Sequence, residues 1–424
     1  MALFWLAACE NLMDEIPLVA PPTPPDPPAG VEETAVLLSG LPIGAEQMQE
    51  VYDAVSSSSD NGFDEEYLLS DLFAEPGSGV GERQLNESKA GGGTEAGTDR
   101  EGKYSRPLRD LLRSAMMAEE EKLARTKGTT ADEAVRAVEE RIGRLCESGV
   151  QIYWPYSENW DGQSLPVITY DPGAGLSSNR GWRLVADGSL AEEVQVDEEM
   201  ARSGCVWVVN GNEDSGLTPL AYLRKTDPTW GLPDHGTVVV RPQGVTGTSP
   251  ESIRQRASGK STGSKTLLLK KFTAKRNFDT WFCGGSEFFI KIGKVEDFKG
   301  TTEADLQRYK PSITDFMVAV KRKDIGKELD FNALLVSEWT DQLSMCAFLI
   351  TEDDGGTIGK WDCNAVVKIN SKSYGLEISI PVNSKDDIVW RGQLSGKYIN
   401  ATSNLTGHFG DVDLVFEVLD YSDF

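Results

Sequence analysis

Helical periodicity begins near Arg106 and covers two segments that a short polar turn separates. Apolar residues recur at intervals of three and four: Leu108, Leu111, Leu112, Ala115, Met116 and Leu123, then Val135, Val138, Ile142 and Leu145. Gly128 and Gly149 are suited to end the two helices. Thr130 and Glu133 form a capping box at the start of the second. The pattern predicts two antiparallel helices packed by aliphatic side chains.

Beyond Gly149 the pattern changes to that of strands. Residues 150–215 contain four short runs rich in aromatic and β-branched side chains: 150–154, 167–170, 182–185 and 205–210. Residues 266–424 contain seven candidate strands, several with alternating polarity: 267–272, 287–292, 316–320, 345–350, 365–369, 376–380 and 413–419. Many short strands separated by turn residues predict an antiparallel β-sandwich.

The chain before Arg106 lacks such patterns. Residues 17–30 are dense in proline, which indicates an extended spacer, and residues 31–105 are rich in serine, glycine and acidic residues. We therefore expect a mainly β protein with a short helical hairpin. Its parts are a truncated lipoprotein signal (1–9), a disordered tether (10–105), a helical hairpin with a small β unit (106–215), a loop-rich linker (216–265) and a β-sandwich (266–424).

Composition narrows the classes of function. The net charge of -25, from 67 acidic and 42 basic residues, argues against nucleic-acid binding because phosphate would be repelled. The two histidines, His235 and His408, cannot form the paired helical histidines of a zinc protease. No Gly-x-Ser-x-Gly elbow precedes a predicted helix, so the sequence predicts no catalytic residue.

The N-terminal residues form a short apolar segment that ends at a cysteine. Residues 6–9 read Leu-Ala-Ala-Cys at a boundary between apolar and polar sequence, and acidic residues follow Cys9. This resembles the lipobox of bacterial lipoproteins, and the acidic residues are similar to those of Bacteroidetes-type surface lipoproteins. The resemblance implies a lipid on Cys9, a membrane attachment through that lipid, and export to the outer-membrane surface. A basic region is missing and the apolar stretch is short, which favours a longer reading frame upstream of Met1.

The other cysteines give no strong motif. None of the six cysteines forms a C-x-x-C pair, so a thiolate metal site is not expected. If Cys9 carries lipid, five remain, which is not a complete disulfide set. A Cys346–Cys363 bridge between neighbouring strands is one hypothesis, and a buried free thiol at Cys346 is the other.

The main candidate site is acidic and follows candidate strands of the sandwich. It comprises Asp353, Asp354, Asp362, Asp386 and Asp387. If the loops meet at one end, these carboxylates are hard oxygen ligands that suit Ca²⁺. Over residues 266–424 the strand pattern, together with the Glu-Asp-Asp-Gly-Gly turn at 352–356 and Lys-Asp-Asp-Ile at 385–388, resembles a C2-type β-sandwich, which implies calcium binding. The spacing does not match an EF-hand, and ordinary hairpin turns are the competing interpretation.

A second candidate is an aromatic cluster around a turn. Tyr156 and Trp160 could stack on a glycan, whereas Trp154 is expected in the core because successive strand residues point to opposite faces. Packing in the core or between subunits is the alternative for the whole cluster.

Together these features predict a non-catalytic, exported cell-surface lipoprotein that acts as a binding or structural module. The expected partners are a membrane, through the lipid, and a glycan or surface protein. The alternatives are an extracellular glycan hydrolase that uses two carboxylates and an assembly component that donates a strand to a partner.

Overall fold

The computed structural model describes ten stretches of the chain: residues 30–61, 63–74, 104–128, 130–173, 175–184, 191–212, 217–218, 239–242, 265–354 and 357–420. The helices are α1 Val31–Ser39, α2 Ala45–Asp60, α3 Leu69–Leu72, α4 Leu108–Lys127, α5 Ala131–Glu147, α6 Glu198–Ser203 and α7 Gly396–Ala401. The strands are β1 Glu66–Leu68, β2 Val150–Tyr153, β3 Val167–Tyr170, β4 Ser178–Arg183, β5 Glu192–Asp197, β6 Val206–Gly211, β7 Leu217–Thr218, β8 Val239–Pro242, β9 Lys265–Ala274, β10 Ser286–Lys294, β11 Ser312–Val320, β12 Leu329–Trp339, β13 Leu343–Glu352, β14 Ile358–Ile369, β15 Lys372–Asn383, β16 Asp387–Ser395, β17 Thr406–Phe409 and β18 Val412–Asp420.

The N-terminal unit, residues 30–212, is a six-stranded sheet with helices α1 to α5 packed on one face and the short helix α6 on the other. Its strand order is β1-β2-β6-β3-β4-β5, in which β3 and β6 run parallel and the other neighbours antiparallel. Alternate residues of a strand serve two cores: Ile152 packs with the helices, and Tyr153 packs on the opposite face. The predicted helical hairpin is confirmed as α4 and α5, with Gly128 in the left-handed region (φ 73°) and the Thr130–Glu133 capping box in place.

Residues 30–74 correct the predicted tether. The disordered assignment of residues 10–105 is wrong for residues 30–61 and 63–74, which form α1, α2, β1 and α3 and contribute to the core. Leu38 and Val51 are completely buried there, and the carboxylate of Glu50 accepts a hydrogen bond from the backbone of Leu108 at 2.7 Å. The acidic composition was misleading because some of the acidic side chains are buried and hydrogen-bonded to the backbone. Cys9 and the proline-rich residues 17–29 lie outside the described residues.

The C-terminal unit, which comprises residues 265–420 and the strands β7 and β8, is the predicted β-sandwich. Its larger sheet has the order β15-β14-β13-β10-β11-β8-β7, with β16 also paired to β13, and its smaller sheet has the order β12-β9-β18-β17. Both sheets contribute to one apolar core. All seven candidate strands are confirmed, and β12, β16 and β17 are additional. The linker assignment is wrong at residues 217–218 and 239–242, because β8 pairs with β11 and β7 pairs with β8.

A loop between β9 and β10 joins the two units, and we call residues 277–285 the plug loop. Trp281 is 4% exposed and Phe282 is completely buried. Both pack against Tyr153, Val206 and neighbouring residues on the face of the N-terminal sheet that also carries α6. The plug loop and the short helix α6 therefore cover that face, while the other helices of the unit cover the opposite one.

The cysteines within the described residues are free thiols: Cys146, Cys205, Cys283, Cys346 and Cys363. The hypothetical Cys346–Cys363 bridge is not formed, and the Cys363 thiol instead donates to the Ile378 carbonyl at 3.4 Å. Cys346 is completely buried, and burial raises the pKa of its thiol. None of the helices in the described part of the chain is long and apolar enough to span a membrane.

Candidate metal centre

Three carboxylates meet where β13 ends beneath the plug loop. Asp279 comes from the plug loop, Glu352 is the last residue of β13, and Asp354 follows two residues later. One carboxylate oxygen from each lies within 4.8 Å of the others, so a single ion could contact all three. We call these three residues the acidic centre.

Local sequence explains why the Glu352 side chain points inward. Glu352 follows Phe348 and Ile350 at the period of two that a strand imposes, and both of these residues are buried in the sandwich core. It also lies opposite Phe288 of β10 in the antiparallel register. The strand therefore carries a carboxylate into a position that its pattern reserves for an apolar residue.

The plug loop is held by its own polar side chains. The amide group of Asn277 donates to the carbonyls of Asp279 and Gly284, at 2.7 and 3.2 Å. The Ser286 hydroxyl donates to Asn277 and accepts from the backbone N–H of Phe278. These bonds fix the turn at Asp279 and leave its carboxylate free to face Glu352.

Glu352 is the distinctive member of the acidic centre. Its side chain is completely buried, and neither carboxylate oxygen meets an N–H or hydroxyl donor among the described residues; its hydrogen-bonding neighbour is the carboxyl of Asp279. Oδ2 of Asp279 is buried and likewise lacks a donor. An isolated buried carboxylate is costly, since buried charges in proteins are ordinarily paired or bound to metal. The centre therefore requires a proton or a cation.

The surrounding charges increase that requirement. Burial raises the pKa of Glu352, and the charge of Asp279, a hydrogen bond to Asp279 and the charges of Asp354 and Glu287 raise it further. Burial raises the pKa of Asp354 to about 6, with contributions from Asp387, Asp386 and Asp353.

One basic side chain lies beside the centre without neutralising it. Arg322 donates to the backbone carbonyl of Asp279 at 3.2 Å and to the carboxylate of Glu198 at the same distance. Its charge lowers the pKa of Asp279, but burial outweighs this effect and the pKa stays raised.

Of the five predicted calcium residues, one belongs to the acidic centre, three lie around it and one lies elsewhere. Asp354 belongs to the acidic centre, and Asp353, Asp386 and Asp387 lie around it at the rim. At the rim, the amide group of Asn383 donates to Asp353 at 3.1 Å, and its backbone N–H donates to Asp386 at 3.0 Å.

The structure does not bring Asp362 to this cluster. Asp362 is exposed on β14, accepts a hydrogen bond from Ser379 and pairs with Lys360 at 3.2 Å. Sequence reasoning missed Asp279 and Glu352 as ligands. The available indication was a carboxylate at an inward-facing position of an apolar strand; Asp279 offered no comparable pattern.

The two aromatic candidates lie in different environments. Trp160 packs with Trp154 and Tyr52 in the helix-side core, and its Nε1 donates to the Ser164 carbonyl. Tyr156 packs against the opposite core, and its hydroxyl donates to Glu198 at 2.8 Å. The structure therefore does not bring these rings together. Trp154 is completely buried, as expected.

Comparison of the chain with protein-family models, with curated proteins and with solved structures gave no match.

Proposed function

We propose that this protein is a non-catalytic binding or structural module whose fold is completed by a divalent cation, calcium, bound at Asp279, Glu352 and Asp354. The observation that carries the proposal is Glu352, which is completely buried among carboxylates with no N–H or hydroxyl donor for either oxygen among the described residues. A cation would replace the missing donors and offset the repulsion among three carboxylates.

The donor set favours a hard cation. Each ligand of the acidic centre is a carboxylate, which suits calcium and magnesium, whereas zinc is commonly held by cysteine and histidine. Calcium tolerates irregular geometry and accepts bidentate carboxylates, while magnesium requires a near-ideal octahedron. A centre assembled from a loop, a strand end and the residues after it fits calcium better.

The same burial weakens the hydrolase alternative for these residues. A glycosidase places its acid and its nucleophile or base on either side of a bound sugar. Glu352 has no exposed surface from which to reach one. The acidic centre thus fits an ion better than a glycan, and the strand-donating alternative remains a hypothesis.

The proposal is tested by titrating the full chain with Ca²⁺ and with Mg²⁺ after treatment with a chelator. We expect calorimetry to show calcium bound at the acidic centre and unfolding to shift upward. At a free concentration of 100 times Kd, the gain in free energy of unfolding should be about 2.7 kcal/mol. Magnesium should bind more weakly.

Two substitutions decide whether the ion sits at the acidic centre. Glu352→Gln keeps the shape but removes the charge, and it should abolish the calcium-dependent shift. Asp362→Asn is the matched control, because Asp362 is exposed and pairs with Lys360 instead. If Glu352→Gln binds calcium as the unmodified chain does, or if calcium leaves unfolding unchanged, the carboxyls share a proton and the proposal is wrong.

The cellular location is a separate proposal, supported only by the lipobox-like residues 6–9. We propose that Cys9 is lipidated and that the protein is exported to the bacterial surface. Intact-mass analysis of protein from its native host should show a diacylglycerol adduct and loss of residues 1–8. A native chain that retains those residues without lipid would refute this.

A further inference from the structure

The plug loop makes polar as well as apolar contacts with the N-terminal unit. Nε1 of Trp281 donates to the carbonyl of Ser177, and the amide group of Asn210 donates to the carbonyl of Phe282, both at 2.9 Å. The carboxylate of Asp64 accepts from the backbone N–H of Gly285 at 2.8 Å. The tip of the plug loop is therefore hydrogen-bonded to the N-terminal unit.

The base of the same loop forms part of the acidic centre. Asp279 lies two residues before Trp281, while Glu352 and Asp354 belong to the sandwich. An ion held by all three would connect the plug loop to the end of β13. The loop would then be fixed at its tip by one unit and at its base by the other.

We infer that calcium at the acidic centre docks the N-terminal unit onto the sandwich by holding the plug loop in place. This rests on the proposed function, since it requires that the ion bind there. In the ion-free chain no ligand bond joins Asp279 to Glu352 and Asp354, so the loop can move away from β13 without breaking one. In the loaded chain the same movement must break ligand bonds.

The inference predicts a local change of stated size. If opening of the plug loop releases the ion, bound calcium reduces the open population by the factor by which it stabilises the closed state. At 100 times Kd, hydrogen exchange of the loop amides should slow about 100-fold. The amides to follow belong to Phe278, Cys283 and Gly285, because each donates within or across the loop.

Hydrogen exchange measured by mass spectrometry on the full chain, with and without calcium, tests this. We expect the slowing in peptides that contain the plug loop to exceed that in the β17–β18 hairpin. Glu352→Gln should lose the effect and Asp362→Asn should keep it. Calcium that binds by calorimetry but leaves the loop unchanged, or slows all peptides equally, overturns docking and leaves the cation site intact. No binding by calorimetry removes both.

A substitution on the far side of the loop tests the coupling in reverse. Asn210 is 1% exposed and bonds Phe282 from β6, away from the carboxylates. Because linkage is reciprocal, Asn210→Ala should loosen the loop and weaken calcium binding by about fivefold or more. Asn179→Ala is the control, since it removes a similar bond, to the Tyr170 carbonyl at 2.9 Å, elsewhere in the sheet. Calcium affinity that is unchanged in Asn210→Ala despite faster loop exchange would overturn the inference.

Discussion

The buried carboxyl of Glu352 should make the stability of the calcium-free protein fall as the pH rises. Burial raises its pKa above the ordinary value of 4.5, and the charges of Asp279, Asp354 and Glu287 act in the same direction. A raised pKa means that the folded chain holds a proton that the unfolded chain has released. The stabilisation is thus complete below pH 4.5 and is lost as the pH rises toward the folded pKa.

The magnitude follows from one proton. Where the folded state binds one proton more than the unfolded state, the free energy of unfolding falls by about 1.4 kcal/mol per pH unit. Between pH 5 and pH 7, Glu352 should therefore contribute a loss of about 3 kcal/mol. Glu352→Gln cannot titrate and lacks this contribution.

The assay is urea unfolding in excess chelator at pH 5, 6 and 7, comparing the unmodified chain with Glu352→Gln. The variant should gain about 1.4 kcal/mol on the unmodified chain for each pH unit, whatever fixed cost the buried amide introduces. Asp362→Asn should show no such trend, because Asp362 is exposed and its pKa is lowered by Ser379 and Lys360. A constant difference between Glu352→Gln and the unmodified chain from pH 5 to pH 7 would refute the reasoning.

Three further predictions concern the fold, each measured by urea unfolding. Trp154→Ala should cost about 3–5 kcal/mol because the ring is completely buried, and Trp160→Ala, which is half-buried, should cost less. Val51→Asp should cost several kcal/mol if α2 belongs to the core, while Val36→Asp, at a position 47% exposed, should be nearly neutral; equal effects would contradict the packing of residues 30–74. Gly181→Ala should cost about 1–3 kcal/mol because its Cβ would lie 2.7 Å from the Ile168 carbonyl oxygen, whereas Gly143→Ala, in open space on α5, should stabilise by up to about 1 kcal/mol.

The sequence predicted elements where the local pattern matched the final environment. The α4–α5 hairpin has an apolar stripe, a capping box and a terminal glycine, so every local feature agrees. In the sandwich, alternation revealed seven strands. It failed for β16, where residues 388–390 are consecutive apolar residues and do not alternate with polar ones. It also failed for β12, whose register is interrupted by bulges. Such irregularities disturb the period of two on which the prediction depends.

The N-terminal region was misjudged for a different reason. Residues 30–74 contain many acidic residues, and a composition averaged over the segment implies that these side chains are exposed to solvent. Yet Glu50, Glu66 and Asp71 are at most 7% exposed. Glu50 satisfies the backbone of Leu108 and so joins α2 to α4 across 58 positions of sequence. Long-range bonds of this kind have no local pattern, so composition alone favoured disorder.

For the same reason, only part of the acidic centre could be predicted from the sequence. Asp354 could be predicted because it belongs to a run of acids after a strand, where loops of a sandwich gather. Asp279 stands 73 positions before Glu352 and meets it only through the pairing of β10 with β13, so its part depends on tertiary structure. Glu352 ends an apolar strand at an inward-facing position, where a carboxylate opposes folding unless it holds a proton or a cation. A residue that breaks the pattern of its own strand is therefore the most informative indication of function that this sequence contains.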